Sequence, residues 1–183
     1  MAKLVSDKDA AKIYNLVNTL LGTDYKFSGF GSDMPVAAGL FKDVITVFNF
    51  HKKTGYWYPT IITDAHVIAA RANTHGTDGM TNADSVEVQI TSNAAQNVNS
   101  TEGVKSYTPP KEYAVTDTPD EYITFTPECD FFIEGRWDNL LPIDDDDYDE
   151  GLYNALNEAQ DGVYLISSAT FYSLIPHFEL GGR

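Results

Sequence analysis

Residues 148–180, YDEGLYNALNEAQDGVYLISSATFYSLIPHFEL, decide how the chain is read. A helical pattern led by acidic residues ends at Asp161-Gly162, and no charged side chain follows until Glu179. Within that run Val163, Leu165, Ile166, Phe171, Leu174, Ile175 and Phe178 carry the β-branched and aromatic content of buried strands. The spacing predicts a helix over about 149–160 with Leu152, Tyr153 and Leu156 turned inward. A C-terminal β-hairpin over about 163–169 and 171–179 should follow. The core is expected here, with Leu174 and Ile175 contributing to it.

Working outward, Ser6 and Asp9 have the spacing of a capping box, and Ala10, Ile13, Tyr14, Val17, Leu20 and Leu21 recur at helical intervals before Gly22. This predicts an N-terminal helix over about 7–21, followed by a glycine-rich connection to residue 42. Val44–Phe50 reads as a strand, Lys52–Gly55 as a hairpin turn and Tyr56–Thr63 as the returning strand. Pro59 cannot donate to a ladder, so that strand should lie at an edge or bend there. Asp64–Ala72 suits either a short helix or a continued strand, and Asn73–Asp84 has the composition of a loop. Val86, Val88 and Ile90 alternate with Glu87 and Gln89 as in a strand with one wet face. Glu121–Phe125 and Asp130–Trp137 are further strand candidates.

Between them, residues 91–120 are rich in Asn, Ser, Thr and Pro, too long for an ordinary connection and suited to a contact arm. The expected fold class is therefore α+β: one domain over 1–183, a mostly antiparallel sheet, an N-terminal helix and a second helix before a C-terminal β-hairpin.

Composition narrows the function classes. Twelve basic against 27 acidic residues give a formal charge of −15, a field that repels nucleic acid and anionic membranes. Eleven Tyr and ten Phe are too many for a disordered acidic chain. They suit a folded protein with extended contact surfaces. The single Cys129 excludes an internal disulfide. The start MAKLVSDKDA carries no apolar signal core, and no run is long enough to span a bilayer, so a soluble protein without an export signal is expected.

No residue constellation indicates catalysis, and no cofactor or metal is expected. Asp145, Asp147 and Asp149 take the first ligand positions of a calcium loop, yet Glu150 occupies its required glycine position and Leu156 its terminal glutamate position. A solvated acidic loop that stabilises the next helix, or docks a basic partner, fits better. His66, His75 and Asp78 match no ligand spacing. Cys129, between Glu128 and Asp130, sits where negative charge raises a thiol pKa. The aromatic triplet Tyr56-Trp57-Tyr58 alternates faces of a strand, which suits core and interface packing better than sugar stacking. Candidate contact residues are therefore Tyr56, Trp57 and Tyr58 on the strand, Tyr107, Pro109, Pro110 and Tyr113 on the arm, and Asp144, Asp145, Asp146 and Asp147 in the acidic run.

The closing segment, with its acidic loop, short helix, VYLISSATFYSLIPHFELGG ending and preceding DFFIEGRWD, resembles small structural proteins of tailed bacteriophages that build necks, tails or capsid attachments. The resemblance implies a non-enzymatic virion protein assembled in the host cytoplasm, with other copies of itself and other virion structural proteins as partners. A second reading is an acidic DNA mimic that inhibits a host restriction or CRISPR effector, although the carboxylates concentrate at 144–150 rather than along a ridge. A third, a hydrolase or carbohydrate-binding module, rests only on Tyr56–Tyr58 and His66.

Overall fold

A computed structural model describes residues 41–70, 73–76, 79–82 and 85–183. All of them belong to one compact unit, Val36–Arg183. The N-terminal helix expected over 7–21 lies outside the described residues.

The α+β expectation is overturned by a closed, six-stranded antiparallel β-barrel. Strands β1 (Asp43–His51), β2 (Tyr56–Ala70), β5 (Ser85–Thr91), β9 (Phe131–Glu134), β11 (Val163–Tyr172) and β12 (His177–Gly182) close in the ring β1-β9-β11-β12-β5-β2-β1. Two stretches carry more strand than their composition indicates. Asp64–Ala70, ambiguous by composition, continues β2 to a length of 15 residues, and its far half pairs with β5 from Ala65↔Ile90 to Ala70↔Ser85. The supposed loop at 73–84 contains the hairpin β3 (Asn73–Gly76) and β4 (Gly79–Asn82). The second helix forms as expected but shorter, as Leu152–Ala159.

Strand periodicity fixes what lies inside. Ile45 and Val47 of β1 point inward with Ile62 and Ala65 of β2, Val86, Val88 and Ile90 of β5, Phe132, Ile166, Phe178 and Leu180. A barrel of so few strands is narrow enough for its own side chains to fill it. Gly182 marks how tight the fit is, because a Cβ there would stand 2.5 Å from Val86 Cγ1 and 2.9 Å from Phe132 Cζ.

The intervening side chains build a second cluster on the outer wall. Phe48 stacks on Phe131 with centroids 4.5 Å apart, and Trp57 meets Phe131 edge-on at 4.9 Å. Leu152 of the helix, with Tyr153 and Leu156, covers them.

Residues 91–120 do not extend as an arm. They supply β6 (Asn97–Ser100), β7 (Gly103–Tyr107), the short helix α1 (Pro110–Tyr113) and a 3-10 turn at Pro119–Glu121. With β8 (Tyr122–Ile123), β6 and β7 form a small three-stranded sheet whose Val98 and Ile123 join the barrel core. The helix over Leu152–Ala159 is α2, and the two-residue strand β10 (Ile143–Asp144) adds to β2.

Candidate functional site

Three features of this frame carry the chemistry. The first is a buried polar cluster inside the barrel. Asp130 is fully buried, and its carboxylate accepts N–H bonds from Phe50 at 3.0 Å and Thr126 at 2.7 Å and from the Asn49 side-chain amide at 3.0 Å. Asn49 also donates to the Thr124 carbonyl at 2.6 Å. Burial nevertheless pushes the Asp130 carboxyl up to about 7, the donors acting against it. Burial, reinforced by Asp130, also holds the Tyr113 phenol far above its ordinary range and lifts the neighbouring Cys129 thiol to about 11. A thiol so protonated is a poor nucleophile. The cluster fastens β1 to the 124–130 segment and is sealed from solvent.

The second feature is the acidic run. Asp145 is not a free surface charge: its Oδ1 accepts the Trp57 indole N–H at 2.7 Å and the Leu152 backbone N–H at 2.8 Å. It thereby ties β2 to the start of α2, where an unpaired N–H and the helix dipole favour a carboxylate. Gly151, with φ of 81°, keeps the space free, since a Cβ there would lie 3.2 Å from Asp145 Oδ1. Asp144 accepts from the Asp146 backbone N–H, and its charge raises the pKa of Tyr56. Asp146 and Asp147 face solvent.

The third feature pairs a cleft with a projecting tip. Between Trp57 and Ala65 the second side of β2 has no ladder partner, β10 ending at Trp57 and β5 beginning at Ala65. Pro59, which lacks the N–H a ladder would use, sits in that gap. The gap opens into a cleft of about 680 Å³, floored by Tyr58, Pro59 and Lys105, walled by Val104, Leu140, Leu141 and Pro142, and rimmed by Glu102, Asp120 and Glu121. Lys105 turns its amine inward to Thr60 Oγ1 at 3.0 Å, 3.8 Å from Glu102. Burial lowers its pKa while Glu102 and Asp120 oppose the shift.

At the tip, Leu174 is 94% exposed and Ile175 62%, in the turn joining β11 to β12. This reverses the expectation that both belong to the core. The uncharged run has the composition of strand through residue 179, whereas the chain turns at Ser173–Pro176. The turn is anchored: Tyr172 stacks on His177, His177 Nδ1 bonds the Ile175 carbonyl at 2.7 Å, and Ser92 N–H bonds the Pro176 carbonyl at 3.2 Å.

The expected contact residues thus divide. Tyr56 and Tyr58 reach the surface or the cleft, but Trp57 is buried against Phe131. On the former arm, Tyr107 packs against Phe178 at 4.9 Å, the Pro109 carbonyl and Pro110 start α1, and Tyr113 is 1% exposed. Tyr113 is thus packed inside the fold and Tyr107 is half-buried against it, while Pro109 remains exposed. Sequence reading missed Leu174, Ile175, Val104 and Leu141; Pro176 and the lack of charge from 163 to 178 were the available signals for the first two. His66 lies 3.5 Å from Asp43 Oδ2, while the side chains of His75 and Asp78 lie outside the described residues. Among the described residues no group of three His, Cys, Asp or Glu could hold a metal ion, and no helix is long and apolar enough to cross a membrane.

The frame is that of a small antiparallel barrel with a filled interior and an apolar projecting hairpin. The model of the family of unknown function DUF6751 matches residues 40–183, and the chain belongs to that family. No curated protein and no solved structure matches the chain.

Proposed function

We propose that this barrel is a non-enzymatic assembly subunit that works by burying surface against other protein chains. One observation carries the reading: Leu174 and Ile175 stand out in solvent on an anchored turn. Among the described residues nothing covers these large apolar side chains, and a partner that covered them would remove them from water. The barrel interior supports the same reading, because its own side chains occupy the volume in which a wider barrel holds a ligand.

The resemblance of the C-terminal segment to small structural proteins of tailed bacteriophages supplies the setting we favour, a head-to-tail connector, tail or capsid with many copies of the chain. Mass spectrometry of purified particles should find the chain in fixed stoichiometry with the other virion proteins. Leu174→Asp should leave the fold intact by circular dichroism and remove the chain from particles. Particles lacking the wild-type chain would refute the virion setting, and incorporation of Leu174→Asp at wild-type level would refute the tip as the assembly contact.

A further inference from the structure

We propose that the β11–β12 tip of one copy seats in the cleft between β2 and β7 of the next, so that the chain assembles head to tail. The inference rests on the assembly reading above and names the partner surface.

Charge decides which surfaces of this molecule can meet. At −15, most pairs of its faces repel each other at short range. Among the described residues, the tip is a surface that escapes this repulsion. Residues 163–178 contain no Asp, Glu, Lys or Arg, and neither do residues 91–101. The fold lays these two stretches side by side, through the Thr91↔His177 pairing and the bond from Ser92 N–H to the Pro176 carbonyl. Carboxylates stand at its borders: Glu179 pairs with Thr170, Glu102 follows Thr101, and Asp64 accepts from the Asn99 amide at 3.2 Å. A neutral tip can therefore approach the Glu102, Asp120 and Glu121 rim, where an acidic face of a second copy could not.

The cleft offers apolar wall at Val104, 64% exposed, and Leu141, 70% exposed, the kind of surface that Leu174 and Ile175 would dehydrate. Its volume of about 680 Å³ exceeds what two aliphatic side chains need, leaving room for the turn backbone. Donor and acceptor surfaces differ, so the contact is heterologous and propagates into a ring or a filament. A two-residue plug buries less than the ~1,200 Å² of a stable pair. Isolated pairs should therefore be short-lived, and closure of a ring should hold them.

Disulfide trapping between two variants tests this. A chain carrying Leu174→Cys is mixed with one carrying Leu141→Cys, both with Cys129→Ser, under mild oxidant at high protein concentration. The control replaces Leu141→Cys by Val115→Cys, a position equally exposed but outside the cleft. The expected result is at least tenfold faster cross-linking with Leu141→Cys than with the control, and a ladder of oligomers from a chain carrying both Leu174→Cys and Leu141→Cys. Equal rates would overturn the inference. If sedimentation of the wild-type chain still shows oligomers, the assembly reading survives with a different contact. If the chain is also monomeric at every concentration and missing from particles, both fall.

Discussion

The indole N–H of Trp57 and the carboxylate of Asp145 are 2.7 Å apart, and that bond joins the outer wall of the barrel to the loop that starts α2. The same oxygen caps Leu152. Asp145→Ala should therefore cost roughly 1–3 kcal/mol, the range for a buried donor left unpaired together with a lost helix cap. Asp146→Ala and Asp147→Ala, in the same run but solvent-facing, should stay within about 0.5 kcal/mol of wild type. Urea denaturation of the three variants separates these outcomes, and Trp57 emission should shift to the red only in the first.

Asp130 should make stability depend on pH in a defined direction. Its folded pKa of about 7 lies above the ordinary carboxyl value, so the folded state binds the proton more tightly than the unfolded chain does. The stability contributed by the neutral acid is full below about pH 4 and is lost as pH rises through about 7. The advantage of wild type over Asp130→Asn should shrink across that window in paired urea titrations. An advantage that grows with pH would mean that the donors from Phe50, Thr126 and Asn49 hold the anion more strongly than burial opposes it.

Neighbouring glycines in β12 should respond differently to a methyl group. Gly182→Ala drives a Cβ against Val86 and Phe132 inside the barrel and should cost on the order of 1–3 kcal/mol through overpacking. Gly181→Ala meets the Ser168 hydroxyl at 2.5 Å, an exposed side chain that can rotate away, and should cost less than half as much. Thermal melts of the two variants give the comparison.

Leu174→Asp and Ile175→Asp should leave the melting temperature nearly unchanged, within about 0.5 kcal/mol of stability, because neither side chain is buried among the described residues. A loss of several kcal/mol from either would place the tip inside the folding unit, as its sequence suggests, and remove the basis for an assembly contact.

Strand-forming alternation made β1, β5, β9 and the start of β11 readable, and the amphipathic spacing of Leu152, Tyr153 and Leu156 located α2. Closure of the barrel was not readable, because it depends on which strands pair, and Ile45 meets Glu134 across 89 residues with no local signature. The 91–120 segment misled for a different reason: its few apolar residues are spaced too widely to show a period, yet Val98 and Tyr113 both find buried places while Val104 and Val115 stay exposed. The acidic run reads as uniform surface, and only three-dimensional proximity to Trp57 distinguishes Asp145 from its neighbours. Leu174 and Ile175 misled most, since hydropathy alone cannot tell a core strand from an exposed apolar turn.

The ring order also constrains how the chain reaches its native state. β1 must wait for β9 and β5 for β12, so two of the ring's seams join partners separated by roughly half the chain. Relative contact order is correspondingly high, and barrels dominated by such pairings fold on the order of milliseconds to seconds. During that interval β1 and β5 expose unpaired edges, and crowding of nascent copies would favour strand exchange between them over correct closure.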